Sequence, residues 1–292
     1  ALMFLKILYL LRDIANMPIS ILNSIVFYYV KLIRLVDFKN KSRFWEENLQ
    51  KYIDESKSNK IFIGKDKFIT FYCPNTITNY RAKTFYTKEP DTIEWLSSKG
   101  GINKILYDIG ANMGIYSIYY SKKHNARSYS FEPSFKNLDI LTRNIKLNNL
   151  QKLVTVIPNA VTKKNQISDF FQLNFIPGFA GATFDDEFNK RRIKTVNRYE
   201  FTPIEYLTLG INLDMLIRNK IIKKPDLIKI DVDGNELEVL RGMTSFLKKS
   251  KNISILIEID ERLKTGKKVH SLFKKNKFKL SSYRNDNFIY SK

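Results

Sequence analysis

Two rhythms of apolar and polar positions run through most of this chain. The segment KIFIGKDKFITFY (60–72) alternates with period two and carries a Gly-Lys-Asp turn signal, which predicts a β-hairpin. Pro90-Asp91 predicts the start of a short helix, because proline suits a first helical turn and aspartate suits its positive end. From there strand and helix rhythms alternate. KILYDIG (104–110), ARSYSFEP (126–133), LVTVIPNAV (153–161), DLIKIDVDG (226–234) and ISILIEID (253–260) read as strands. ANMGIYSIYYSKK (111–123), SFKNLDILTRNIKLNN (134–149) with Ser134 as N-cap, NELEVLRGMTSFLKK (235–249) and KKVHSLFKK (267–275) read as helices. Residues 164–202 lack helical period and read as short strands and loops, and the tail adds one or two strands. Apolar strand runs separated by helices predict an α/β fold, a mostly parallel sheet covered on both faces.

The first 36 residues follow another pattern. They are strongly apolar, yet Lys6, Arg12 and Asp13 interrupt them early and Lys31 and Arg34 late. The uncharged run Ile14–Val30 holds 17 residues and includes Asn16, Pro18, Ser20, Asn23 and Ser24. A spanning helix wants about 20 predominantly apolar residues, so the run falls short. No basic segment precedes the apolar start, so a secretory signal is not expected. Two readings stay open: helices lying on a membrane surface, or helices packed on the main domain or on a second subunit. Residues 37–60 read as a charged connector. The expected organisation is an apolar helical extension and connector over 1–59 and one catalytic domain over 60–292, with its motifs at about 88–260.

Composition narrows the chemistry. With 43% apolar and 13% aromatic residues among 292, the chain can bury a full core, which excludes disorder for most of it. One cysteine, Cys73, excludes a disulfide scaffold, and with His124 and His270 it cannot complete a zinc finger or ribbon. Any metal would have to sit on carboxylates. The net charge of +21 suits an anionic partner. The surplus is carried by 37 Lys against 13 Arg, in a chain also rich in Asn and Ile, so A/T-rich codon usage explains it slightly better than an anionic ligand does.

Three clusters can carry chemistry. DIGANMG (108–114) stands where a strand turns into a helix. Gly110 permits a tight turn, Gly114 permits close packing, and a helix N-terminus with free N–H groups follows. Glu132 ends the next strand, where α/β nucleotide folds bind ribose hydroxyls. No GxxxxGK[ST] is present, and the middle glycine of a dinucleotide fingerprint is replaced by Asn112. The third cluster is IKIDVDGNELEVLRG (228–242), with Asp231, Asp233, Glu236 and Glu238. Helix capping explains some of these acids. Asp231, however, lies at the carboxyl end of its strand, as Glu258 and Asp260 do in the next, and ligand crevices open there.

The ordered set KEPDTIEWL (88–96), YDIGANMGIYS (107–117), FEPSFKNLDILTRNI (131–145), IPNAV (157–161) and IKIDVDGNELEVLRG (228–242) resembles the FkbM-type methyltransferases over about residues 70–260. The resemblance implies a class I methyltransferase fold, with a mostly parallel sheet of about seven strands. It implies S-adenosylmethionine as cofactor and methyl transfer to oxygen, commonly a sugar or polyketide-like hydroxyl. Matched residue by residue, Asp108, Gly110, Asn112 and Gly114 would hold the methionine part, Glu132 the ribose, and Asn159 or Ala160 the adenine edge. Asp231 and Glu236 match the family's acidic motif, with Asp233 as a mild variation. PGFAGATF (177–184) falls in its variable substrate region.

A sugar hydroxyl is a poor nucleophile, so its proton must leave or a metal must acidify it. Asp231 is the candidate base or metal ligand, with Glu258 beside it, and Mg²⁺ or Mn²⁺ is the candidate metal. Tyr80, Arg81 and Phe179 are candidates for the acceptor groove, with Glu236. The expected acceptor is a surface glycan or glycolipid, and the expected place is the cytoplasm, with peripheral attachment to the anionic cytoplasmic face of a membrane. No DNA partner is expected, and an oligomer is possible. The competing readings are an RNA or other nucleic-acid methyltransferase, and a non-catalytic membrane-associated relative of the fold.

Overall fold

The computed structural model describes residues 56–187, 190–191 and 203–292, with isolated positions between 21 and 48. The chain divides into two compact units, Ala1–Lys57 and Ser58–Lys292. The expectations for the apolar N-terminal segment and its connector, and for residues 192–202, lie outside the described residues. No helix among the described residues is long and apolar enough to cross a membrane.

The second unit opens with the expected hairpin, β1 (Ser58–Gly64) antiparallel to β2 (Lys67–Tyr72). Helix α1 (Thr76–Lys83) follows, an element the apolar pattern does not announce. It forms because Asn75 caps it: the Asn75 side chain accepts the Thr78 N–H at 2.8 Å, and the Thr78 hydroxyl accepts the Asn75 N–H at 3.3 Å. Helix α2 (Pro90–Lys99) begins at the expected proline.

Next come β3 (Leu106–Ile109), α3 (Ile115–His124), β4 (Ser128–Phe131), α4 (Phe135–Leu147) and β5 (Val154–Ile157). Ser134 caps α4 as expected. Helix α3 starts later than its pattern implies. ANMG forms a loop, with Asn112 at φ 52° and Gly114 at φ 84°. The expected single strand 153–161 is two. After Pro158-Asn159 the chain leaves the main sheet, and β6 (Ala160–Val161) joins a four-stranded sheet with β7 (Gln166–Gln172), β8 (Ala182–Phe184) and β9 (Ile204–Ile211), in the order β6-β9-β7-β8.

The chain returns through α5 (Leu213–Arg218) to β10 (Leu227–Ile230). The expected helix 235–249 is broken into α6 (Glu236–Arg241) and α7 (Thr244–Lys249). The break falls at Gly242, where a Cβ would stand 2.2 Å from the Thr162 carbonyl oxygen. Strand β11 (Ser254–Glu258), helix α8 (Lys264–Lys275) and the hairpin β12 (Lys279–Arg284) with β13 (Asn287–Ser291) complete the unit.

The main sheet has seven strands in the order β12-β13-β11-β10-β3-β4-β5. The five from β11 to β5 run parallel; β13 is antiparallel to β11, and the edge strand β12, antiparallel to β13, runs in the direction of the five. With helices packed on the sheet, this is the α/β class I methyltransferase fold that the pattern and the resemblance predict. Side-chain alternation divides the core. Ile109, Ile228, Ile230 and Ile257 pack in one apolar cluster, while Leu106, Leu227, Leu256 and Ile118 of α3 pack in another. The β3–β10 and β3–β4 registers pair Asp108 with both Lys229 and Ser130, so three polar residues stand side by side on one face. Cys73 is buried, its thiol 3.3 Å from the Phe71 carbonyl oxygen. His124 and His270 are part-buried. His124 lies 2.9 Å from the Leu96 carbonyl oxygen, and His270 bonds the Tyr290 hydroxyl.

Candidate active site

The carboxyl ends of β3, β4 and β10 open into a cleft of about 730 Å³, counting its solvent-open mouth. Gly110, Asn112, Glu132, Asn159, Ala160 and Asp231 all line it, together with the apolar side chains of Phe131 and Phe170. Arg81 and Phe179 line it too, so eight of the residues singled out from the sequence are brought together.

The turn after β3 is tight for a steric reason. Gly110 sits at φ 84°, and a Cβ there would lie 1.8 Å from the Asp231 carbonyl oxygen. Only glycine lets the tips of β3 and β10 come this close. The Gly110 and Ala111 N–H groups both donate to the Phe131 carbonyl, at 2.9 and 3.0 Å, which ties the turn to β4. Glu132 is consequently held from two sides. Its carboxyl accepts the Asn112 N–H at 2.7 Å and the Ser134 N–H at 2.9 Å. Burial pushes this carboxyl up to about 7, against the opposing pull of those hydrogen bonds.

Two members of the glycine-turn motif lie outside the cleft. Asp108 is fully buried, and one of its oxygens accepts the Ser117 N–H at 3.1 Å and the Ser117 hydroxyl at 2.6 Å. Its other oxygen, Oδ1, has no hydrogen-bond partner among the described residues. Burial raises its pKa, and the charge of Lys229 opposes the rise. Gly114 serves packing: a Cβ there would meet Leu141 Cδ1 of α4 at 2.4 Å. Glu236 also stays out of the cleft. It is buried, accepts the Gly234 N–H at 2.9 Å, and is pushed up to about 7 by burial.

At the tip of β10 a charge cluster appears that the sequence reading omitted. The Lys229 side chain is 1% exposed, and its ammonium lies 2.8 Å from Asp231 Oδ2 and 4.6 Å from the centre of the Tyr116 ring. Burial alone would lower its pKa, yet the charges of Asp231, Glu89 and Asp108 raise it, so it stays protonated. Burial likewise opposes ionisation of Asp231. The Lys229 ammonium and hydrogen bonds from Lys229 and Glu258 outweigh it and hold Asp231 at about 2. Glu258 takes the opposite course. The Asp231 charge beside it, with burial, pushes it up to about 9. The pair therefore shares one proton at neutral pH, carried on Glu258. Asp231 lines both the cleft and a smaller adjoining pocket that also contains Lys229, Glu89 and Tyr116. The available signal was a lysine at the third position of LIKI, a strand otherwise apolar throughout.

These donors suit a divalent cation poorly, since an ammonium already stands against Asp231 and Glu258 carries a proton. Among the described residues no group of three or more His, Cys, Asp or Glu side chains converges on a common point.

The segment 177–182 borders the cleft and is tied to it. Asp233, at φ 55°, accepts the Gly181 N–H at 2.8 Å. The Gly178 N–H donates to Asn137 Oδ1 at 2.9 Å, and the Asn112 amide donates to the Phe179 carbonyl at 3.3 Å. Arg81 Nε donates to the Gly178 carbonyl at 2.7 Å. Beyond this segment lies an outer pocket that includes Tyr80, Arg81 and Phe179. Of the four acceptor candidates, Arg81 and Phe179 line the cleft, Tyr80 lines the outer pocket, and Glu236 lines neither.

Residues 108–280 match the methyltransferase FkbM domain. The chain belongs to that family. It therefore carries a methyltransferase domain of the type that uses S-adenosylmethionine. The hexuronic acid methyltransferase AglP of Haloferax volcanii is 29% identical over 160 residues, covering 54% of this chain and 58% of that protein. Methyltransferase sdnD of Sordaria araneosa is 27% identical over 160 residues, covering 48% of this chain and 61% of its own. The matched region thus spans about three-fifths of the length of these curated relatives. Among solved structures, methyltransferase FkbM of Methylobacillus flagellatus aligns at 17% identity and a TM-score of 0.42, over 64% of this chain and 43% of that one.

Proposed function

We propose that the 60–292 domain of this methyltransferase transfers the methyl group of S-adenosylmethionine to a hydroxyl oxygen of a sugar in a surface glycan or glycolipid. The observation that carries the reading is Asp231, a carboxylate kept ionised by Lys229 2.8 Å away, in a cleft that Glu132 also lines. The hexuronic acid named for AglP supports a sugar acceptor. The cleft residues fit the cofactor: a buried carboxyl with two fixed N–H partners suits a ribose diol, and apolar walls at Phe131 and Phe170 suit an adenine.

In this reading Glu132 accepts the ribose hydroxyls, and Asn159 and Ala160 border the adenine. Gly110 and Asn112 bring backbone close to the methionine part. Asp108 acts through Ser117, bracing the first turn of α3. When bound, the cofactor supplies an electrophilic methyl on a sulfonium sulfur. The protein contributes mainly alignment of the two reacting atoms. Asp231 holds the acceptor hydroxyl by accepting its hydrogen bond. As the new C–O bond forms, the acceptor oxygen becomes an oxonium far more acidic than any carboxylic acid. A carboxylate held near 2 is therefore basic enough to take that proton late in the transfer. Glu258, already protonated, keeps Asp231 oriented by donating to it. No step is routed through a metal. The same reading places the reaction at the cytoplasmic face of a membrane, where the basic charge of the chain meets anionic lipid.

The test has two parts. Calorimetric titration of S-adenosylhomocysteine into wild type and Glu132→Ala should show binding that collapses in the variant. Transfer from methyl-labelled cofactor to glycan and glycolipid fractions should then place the label on a sugar oxygen, read by NMR. Label on RNA or on nitrogen overturns the acceptor assignment.

A further inference from the structure

The outer pocket has a charge pattern that the cofactor cleft lacks. It has about 720 Å³, counting its solvent-open mouth, and contains two cations, Arg81 and Lys88, two aromatic rings, Tyr80 and Phe179, and no acidic side chain. Arg81 also lines both the cleft and the smaller pocket that holds Asp231, so it stands where all three spaces meet. Its Nε is fixed on the Gly178 carbonyl, and it forms no ion pair among the described residues. Lys88 is less available, since its ammonium pairs with Glu89 at 2.9 Å. Asp233, across the cleft wall, feels the Arg81 charge but does not line the outer pocket. Tyr80 is 58% exposed, and Phe179 borders both the cleft and the outer pocket.

We infer that the outer pocket is the acceptor subsite and selects a sugar ring bearing a carboxylate, with Arg81 as the specificity-determining residue. A planar guanidinium matches a carboxylate through two parallel N–H bonds, and its anchored Nε reduces the freedom lost on binding. An exposed tyrosine offers a face for the apolar side of a pyranose. Arg81 joins this pocket to the two spaces that Asp231 lines, so a ring held by its carboxylate at Arg81 sits at the entrance to them. The inference rests on the proposed cofactor cleft and adds the acidic class of acceptor.

The test is calorimetry on the full chain loaded with S-adenosylhomocysteine. Three probes are titrated: methyl glucuronide, methyl glucoside, and methyl glucoside phosphorylated at its primary hydroxyl. The glucuronide is expected to bind about tenfold tighter than the glucoside, in line with a charge-assisted hydrogen bond. Arg81→Gln should bring the ratio of glucuronide to glucoside affinity down to about one, and the ratio is the readout because Arg81 also holds the Gly178 carbonyl. Arg81→Lys, which keeps the charge and loses the fork, should retain part of the preference. Equal binding of glucuronide and glucoside, or binding of neither, overturns the inference. Tighter binding of the phosphorylated sugar overturns the carboxylate assignment. S-adenosylhomocysteine binding to the same samples separates this failure from failure of the cofactor reading. A loss of that binding in Arg81→Gln would show that the residue only supports the cleft.

Discussion

Glu132 and Asp231 occupy equivalent places, each immediately after the end of a parallel strand and each lining the same cleft. Their chemistry differs. Glu132 has no cation among the groups that set its pKa; its supports are backbone N–H groups and the Asn137 amide, and burial pushes it to about 7. Asp231 has the Lys229 ammonium 2.8 Å away and stays at about 2. Strand position supplies two carboxyls at the cleft, and a buried cation beside one of them, Lys229 at Asp231, sets them apart. Dipolar support leaves a carboxyl poised to respond to a ligand. A buried cation makes its charge permanent.

The largest expected effect comes from removing the permanent charge. Asp231→Asn should lower the transfer rate by about a thousandfold, the scale of a lost proton acceptor, while S-adenosylhomocysteine affinity changes little. A loss of cofactor binding equal to the loss of rate would assign Asp231 to the cofactor alone. Removing the source of the charge is the next largest. Lys229→Met leaves Asp231, Asp108 and Glu89 without their shared cation. Breaking a buried pair in this way costs about 3–5 kcal/mol. In a unit of this size that lowers Tm by about 10 °C, read by calorimetric melting. A melting temperature unchanged from wild type would mean that Lys229 does not neutralise the cluster.

Much of this comparison was legible in the sequence, because it rests on local pattern. The apolar runs fixed the strands, the Gly110 turn followed β3, and strand ends placed Glu132 and Asp231 where ligands bind. What was illegible depends on partners distant in the chain. Lys229 reads as a polar interruption of LIKI until register sets it beside Asp108 and beneath Tyr116. Gly242 reads as a tolerated helix glycine until the Thr162 carbonyl is found against it. Strand β9 alternates half-buried and exposed residues over most of its length, so only its pairing with β7 and β6 marks it as part of a second sheet. Asp108, the acid that opens the glycine motif, faces Ser117 within the protein, and spacing alone does not report that direction.

The poised member of the pair predicts a pH dependence. The ordinary glutamate value of 4.5 is raised to about 7 in Glu132, so the folded apoprotein keeps a proton that the unfolded chain has already released. Stability from this site is full below about 4.5 and is lost as pH rises through about 7. Cofactor binding runs the other way, because ribose hydroxyls donate to the ionised carboxylate. Affinity for S-adenosylhomocysteine should climb through about pH 7 and then level off. Glu132→Gln should bind about tenfold more weakly at pH 8, with the climb abolished. A wild-type affinity that is flat across this range would mean that the carboxyl is already ionised before the ligand arrives.

The smallest effect is expected inside the Asp231–Glu258 pair, and it tests which member carries the shared proton. Glu258 is held protonated up to about 9, so at neutral pH a glutamine copies both its shape and its donor. Glu258→Gln should therefore change the transfer rate at pH 7 by less than about threefold, set against the thousandfold of Asp231→Asn. Steady-state rates of the two variants, each checked for S-adenosylhomocysteine binding, give the ratio. Equal losses would put the proton on both carboxyls alternately, and the Lys229 ammonium would no longer explain the asymmetry. A large loss only in Glu258→Gln would reverse the assignment, making Glu258 the acceptor of the hydroxyl proton and Asp231 the residue that positions it.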